Sequence, residues 1–191
     1  AQTSGTTGKP KYIPVTPTCR KAGGLTIWLH YARRDHPALL KRRILTIVSP
    51  AVEGYTEAKI PYGSTSGMVV KEMPRIVQSA YAAPYDAFEI ENYDAKYYAL
   101  LRLGLADEVT FLGTANPSSI LMLAQMADRY ADSLIRDIHD GGLSDSFEVS
   151  PAIRAALAPR LKASPGRARL LESLRTRRGR LVPADYWPNM A

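Results

Sequence analysis

The chain has 191 residues and a mass of 21.0 kDa, with 46% hydrophobic, 23% charged and 8% aromatic residues. Those proportions exclude a disordered tail, a collagen-like chain and a disulfide-stapled mini-protein, and no apolar run approaches the roughly 18 residues of a membrane span. The net charge of +7 is local: residues 1–150 hold 16 Lys/Arg and 16 Asp/Glu, whereas residues 151–191 hold 9 and 2.

In chain order, Thr3-Ser4-Gly5-Thr6-Thr7-Gly8-Lys9-Pro10-Lys11 forms a glycine-rich turn. Tyr12–Val15, β-branched and aromatic, predicts a strand leaving it. Thr18 can cap a helix carrying Ala22, Leu25, Trp28, Leu29 and Ala32, weakened by Gly23-Gly24 and interrupted at His36-Pro37. Cys19, the only cysteine, leaves no internal disulfide and no cysteine-based zinc cage; near a helix start its pKa can be lowered, and inert packing is the plainer reading. Neither an initiator Met nor a signal-peptide profile precedes it, so the cytoplasm is the expected compartment. Ile44–Val48 reads as a buried strand, and Pro61-Tyr62-Gly63-Ser64-Thr65-Ser66-Gly67 as an exposed turn, with a second polar loop facing a nucleotide as the alternative.

The clearest unit comes next. Asp94–Leu103 is helical with Gly104 placed to terminate it, and Val109–Gly113 is a strand. Asn116 and Pro117 form an N-cap and first-turn pair for one long helix with a stripe from Ile120 to Ile138, ended by Gly141-Gly142. Two shorter helices, about 153–162 and 167–177, carry the arginines. Strand, short turn and capped helix are α/β grammar, with a helix-rich second half. The chain opens inside a motif and closes on Tyr186-Trp187-Pro188-Asn189, which looks like the lead-in to a buried strand, so it reads as an excerpt of a longer protein.

The opening turn carries the chemistry. Phosphate binding needs backbone N–H groups aimed into one concavity and small residues that admit an anion. Gly5 and Gly8 permit the dihedrals, Ser4, Thr6 and Thr7 add hydroxyls, and Lys9 and Lys11 add charge. It is not a Walker loop: two residues separate the glycines, and Lys9 is followed by Pro10. No metal-ligand spacing connects His30, His36 and His139, and no metal site is expected; His139 reads as a helix C-terminal residue favoured by the dipole.

Residues 3–11 resemble, without a gap, the phosphate-loop signature of adenylate-forming enzymes. Glu108–Gly113, Ser119-Ile120-Leu121, Ile135–Leu143, Arg178-Gly179-Arg180 and the closing Trp-Pro-Asn step are similar to the middle of the auxin-responsive Gretchen Hagen family of acyl acid amido synthetases. The resemblance implies that residues 1–191 are part of one large adenylate-forming N-terminal domain, with residues 151–191 a basic helical segment of it. The adenine and ribose motifs and the C-terminal domain would lie beyond Ala191, so the chain alone is expected to be inactive. Plant members have a slightly longer loop with Ser-Ser at the front, whereas this chain has the general adenylate-forming version.

The implied reaction joins a small carboxylic acid to ATP with Mg²⁺, giving an acyl-adenylate and pyrophosphate, and then passes the acyl group to an amine, an amino acid by expectation. Bringing two anions together demands preorganised donors more than an acid or base. The resemblance assigns Ser4, Gly5, Thr6, Thr7, Gly8 and Lys9 to the phosphates, with Lys11 following pyrophosphate and Thr6 and Lys11 as the catalytic pair. It also suggests an acyl pocket at Asn116, Ser119 and Leu123, although helix capping alone explains Asn116 and Ser119 equally well. Coenzyme A as acceptor and a non-catalytic basic module are the alternatives. Neither a nucleic acid nor a membrane is expected as partner, because Leu161, Leu170, Leu171 and Leu174 give the arginine helices an apolar face with no aromatic interleaving. The arginines are expected to form a solvated face. Oligomeric state is left open.

Overall fold

The computed structural model describes residues 11–16, 18, 19, 31, 32 and 34–190. Within these residues lie four strands, β1 (Arg43–Ile47), β2 (Gly54–Tyr55), β3 (Pro61–Tyr62) and β4 (Val109–Thr114). The helices are α1 (Thr65–Glu72), α2 (Arg75–Gln78), α3 (Tyr93–Leu105), α4 (Ser118–Arg129), α5 (Ala131–Asp140), α6 (Pro151–Leu157), α7 (Pro165–Arg178) and α8 (Pro183–Tyr186). The α/β class with a helix-rich second half is what the sequence pattern implied.

β1 and β4 pair in parallel, Leu45 beside Leu112 and Ile47 beside Thr114. Parallel neighbours need a long crossover, and here it contains α3. A bridge from Ile44 to Tyr81 extends the pairing on the other side of β1. α3 is apolar almost all round, so it is buried almost all round: every residue from Ala95 to Leu105 is inside. α4, α5 and α7 pack around that axis, contributing Leu123, Leu134, Ile138 and Leu171 to one core.

Several expected boundaries move for physical reasons. Tyr12 makes a single bridge and residues 13–16 hold no strand, because one bridge does not propagate a ladder. Thr18 and Cys19 are helical, and the residues of the expected helix between 20 and 30 lie outside the described ones, His30 among them. The break at His36-Pro37 stands, with a 3-10 turn over Pro37–Leu40. The supposed turn at 61–67 contains β3 and the capped start of α1. Helix α3 begins at Tyr93, where Asn92 Oδ1 accepts the Ala95 N–H at 2.9 Å.

Gly104 does not terminate α3; it lies inside the helix, at a point of close approach. A Cβ there would sit 3.0 Å from Leu45 and 3.1 Å from Trp187, whose indole N–H donates to the Gly104 carbonyl at 3.2 Å. The expected long helix is two helices. Tyr130 leaves helical geometry (φ −106°, ψ 21°) where its ring meets Tyr98 and Phe147 edge-on, at 5.9 and 5.2 Å. Ile120, on the expected stripe, is exposed. The helix at 153–162 shortens to α6 plus a 3-10 turn, Ala158–Arg160.

The C-terminal arginines are not simply a solvated face. Arg167 donates to the carbonyls of Leu105, Asp107 and Tyr186, at 2.8, 3.3 and 2.6 Å. Arg154 does the same to Leu143, Ser144 and Phe147, and Arg160 to Tyr81. Arg175 pairs with Asp132, and Arg178 with Asp185. Arg169, Arg177 and Arg180 remain exposed.

Candidate functional site

The parallel pair fixes where a site can form. Where the C-terminal ends of neighbouring strands give way to loops that diverge, a crevice opens, and ligands of α/β sheets settle there. In this chain β1 runs out into Val48-Ser49 and β4 into Ala115-Asn116. A cleft of about 220 Å³ lies between them. A larger groove, about 590 Å³, opens by the opposite strand ends at Arg43 and Asp107. There Arg43 pairs with Asp107 and Arg160 already bonds the Tyr81 carbonyl, so both guanidiniums are engaged within the protein.

One wall of the cleft is the start of α1. Ser64 caps this helix, its Oγ accepting the Gly67 N–H at 3.3 Å and lying 2.7 Å from Ser66 Oγ. The Ser64 N–H donates to the Pro50 carbonyl at 3.0 Å, tying the wall to the chain that leaves β1. Gly67 makes this contact possible, since a Cβ would run into the Ser49 carbonyl. Ser64 and Ser66 therefore line the cleft, in the segment expected to be an exposed turn. The signal available in the sequence was the Ser-Thr-Ser-Gly spacing of a capped helix.

The opposite wall is the loop from β4 into α4. Asn116 Oδ1 accepts from the Ser118 N–H at 3.1 Å and from the Ser118 hydroxyl at 2.9 Å. Asn116 thus braces the turn one residue before the N-cap of α4, which is Pro117 and not Asn116 as expected, and Asn116, Ser119 and Thr114 also line the cleft. Leu123, the third residue expected at an acyl pocket, is instead 1% exposed and belongs to the core.

The floor comes from the first turn of α3. Tyr93 and Tyr97, one helical turn apart, stack with ring centroids 6.0 Å apart and planes 22° apart. Between them stands Lys96, only 8% exposed, its ammonium 5.6 Å from the Tyr93 ring. Burial pushes the Lys96 pKa below the ordinary lysine value, opposed by the field of Glu53. Lys96 was not anticipated, because a lysine in an amphipathic pattern reads as surface.

Of the expected phosphate loop, Ser4, Gly5, Thr6, Thr7, Gly8 and Lys9 lie outside the described residues. Lys11 is described and exposed. The adjoining Tyr12 ring lies 5.0 Å from Tyr62, in the strand that leads directly into Gly63-Ser64. The chain leaving the loop is thus held against the segment that walls the cleft.

His139, in the last turn of α5, has Nδ1 2.6 Å from Asp140 Oδ1. The Thr16 hydroxyl 3.3 Å from the Cys19 sulfur draws that exposed thiol's pKa down. Among the described residues no group of three or more His, Cys, Asp or Glu side chains is placed to hold a metal ion, and no helix is long and apolar enough to cross a membrane.

Residues 1–191 match the model of the GH3 family N-terminal domain. A probable indole-3-acetic acid-amido synthetase, GH3.12, of Oryza sativa subsp. japonica is 30% identical over 131 residues, which are 65% of this chain and 21% of that protein. Among solved structures, the GH3.15 acyl acid amido synthetase aligns over 94% of this chain and 33% of its own, with a TM-score of 0.76 and 19% identity. A second structure, AtGH3.15 in complex with 2,4-DB, aligns over 99% and 34%, with a TM-score of 0.75 and 20% identity. The chain thus spans about a fifth of the curated relative and about a third of the solved ones.

Proposed function

This chain belongs to the GH3 family, and on that premise we propose that its protein is an acyl acid amido synthetase that activates a carboxylic acid with ATP before passing it to an amine. The observation that supports this reading best is the cleft at the C-terminal ends of β1 and β4, in a chain that matches the family along its whole length. Two relatives carry amido synthetase names, one for indole-3-acetic acid and one solved with 2,4-DB.

The first half-reaction sets carboxylate oxygen against the α-phosphorus of ATP and expels pyrophosphate. Both reactants are anions, so the work of the protein is to hold them together and to receive charge on the leaving group. Ser4, Gly5, Thr6, Thr7 and Gly8 provide the amides and hydroxyls for the polyphosphate, with Lys9 and Lys11 as its charge partners. The acid occupies the cleft, with Asn116 and Ser119 at one wall and Ser64 and Ser66 at the other. In the second half-reaction an amine attacks the acyl carbonyl and AMP leaves.

The cleft lining holds hydroxyls and an ammonium and no carboxylate, so it does not fit a divalent cation. Mg²⁺ belongs in this scheme as the companion of ATP's phosphates.

ATP–pyrophosphate exchange by the full-length protein, with a panel of carboxylic acids, tests the reading. Acid-dependent exchange is the expected result, and Lys11→Met or Thr6→Val slows it by about 100-fold or more without loss of the folded state. Exchange that neither variant alters would remove the loop from the reaction.

A further inference from the structure

Lys96 is an anomaly that the fold does not explain. It lies on the helix whose next nine residues are all buried, it is almost fully buried itself, and it lines the cleft. Among the described residues no carboxylate stands within ion-pair distance of it. Glu53 acts on it only through its field. The Tyr93 ring offers a cation–π contact at 5.6 Å, which offsets part of the desolvation cost and replaces no counter-ion. Buried charges are paired, and this one is half-provided for.

The cleft supplies what is missing from one side only. Its other polar side chains are serine and threonine hydroxyls, the two tyrosines and the Asn116 carboxamide, with no carboxylate among them. One positive charge among neutral donors, beside a flat pair of tyrosine rings, is a recognition surface for a small singly charged anion with a planar apolar body. Lys96 also stands in the first turn of a thirteen-residue helix, where the backbone dipole adds positive potential.

We propose that Lys96 is the group that reads the negative charge of the acid substrate, making this cleft selective for compact monocarboxylates over neutral molecules of the same shape. The inference rests on the amido synthetase reading for calling the anion a substrate, and it adds which side chain recognises it and what class of acid fits. Because the carboxylate loses its charge on becoming an acyl-adenylate, the attraction to Lys96 belongs to the ground state. Its loss raises KM for the acid and, because the transition state does not retain that attraction, raises kcat instead of lowering it.

Calorimetric titration of the full-length protein without ATP, with benzoate and with its neutral isostere benzamide, tests this directly. Lys96→Met is expected to weaken benzoate binding about tenfold or more and to leave benzamide unchanged, while Lys96→Arg restores most of the benzoate affinity. Equal losses for both ligands in Lys96→Met would reduce Lys96 to a packing residue and overturn the proposal. So would benzoate binding that Lys96→Met does not alter, the result expected if a carboxylate elsewhere in the protein occupies this ammonium. Failure of the native protein to bind benzoate, with exchange intact for larger acids, would overturn the compact-acid assignment and leave the enzymatic reading standing. Lys96-dependent benzoate binding without exchange for any acid would do the reverse.

Discussion

A buried ammonium without a carboxylate is costly to the protein that carries it, and the cost has a sign that can be measured. Lys96 is held below the ordinary lysine value, 10.5, chiefly by desolvation. Unfolding returns it to water, so between its folded and unfolded values the unfolded chain binds the extra proton. Stability attributable to this residue therefore rises with pH across that window. Below the folded value the full penalty applies, and above the unfolded value it is gone. Lys96→Met keeps the length of the side chain and removes the charge, so in the absence of ligand it should stabilise the protein at pH 7 by about 1 kcal/mol. Thermal denaturation should show this gain shrinking as the pH is raised towards 10.5. A variant that binds acid worse and melts higher is the pattern of a functional residue held against the interest of the fold. A Lys96→Met protein that melts lower at every pH would show that the ammonium is a structural anchor.

At the scale of elements, the joint between α3, β1 and the C-terminal segment depends on one missing methyl group. Alanine is favoured over glycine inside a helix by about 1 kcal/mol. At Gly104 the added carbon would meet Leu45 at 3.0 Å and Trp187 at 3.1 Å, and neither neighbour is free to give. Leu45 is wholly buried, while Trp187 is fixed by its indole bond to the Gly104 carbonyl. Overpacking costs about 1–3 kcal/mol, so it outweighs propensity and Gly104→Ala is expected to destabilise by about 1 kcal/mol. Gly166 in α7 meets nothing within 4 Å, and Gly166→Ala should move the denaturation midpoint the other way. Chemical denaturation of the two variants side by side checks both signs.

Gly104 also marks the boundary of what local pattern reveals. A glycine after ten helical residues carries the same sequence signature whether it ends a helix or admits a tryptophan, and only the partner 83 residues away decides. β1, α3 and β4 were legible because apolar runs, caps and period are local signals. The division at Tyr130 was not, since the ring contacts with Tyr98 and Phe147 that accompany it come from other elements. The site divides in the same way. Asn116 and Ser119 announce themselves by composition, whereas Lys96 and Ser64 enter the cleft only through the crossover that brings α3 and α1 to the strand ends; most of the loop expected at 3–11 lies outside the described residues.

For the molecule as a whole, the basic segment is the feature most open to misreading. Seven surplus positive charges in the last 41 residues resemble a polyanion-binding tail by composition alone. The hydrogen bonds say otherwise, because an arginine aimed at backbone carbonyls acts as a tie between elements and leaves no code in the sequence. Arg167 is the strongest case: one guanidinium joins α7 to the end of α3, to the turn before β4 and to the end of α8. Burial lowers its pKa, with Glu108 and Asp107 opposing, yet it stays charged at any physiological pH. Removing it leaves three carbonyls without a donor in a poorly hydrated place, at about 1 kcal/mol or more each. Arg167→Met is therefore expected to destabilise by about 3 kcal/mol, while Arg177→Ala on the exposed side of the same helix changes stability by less than about 0.5 kcal/mol. Both variants remove one positive charge, so a polyanion-binding tail would lose heparin affinity equally in the two. The architecture described here separates them: denaturation should distinguish Arg167 from Arg177 sharply, and neither should alter the weak, salt-sensitive retention on heparin by more than a single charge allows. Equal stability of the two variants, with a large loss of heparin binding in each, would return the segment to the role its composition suggests.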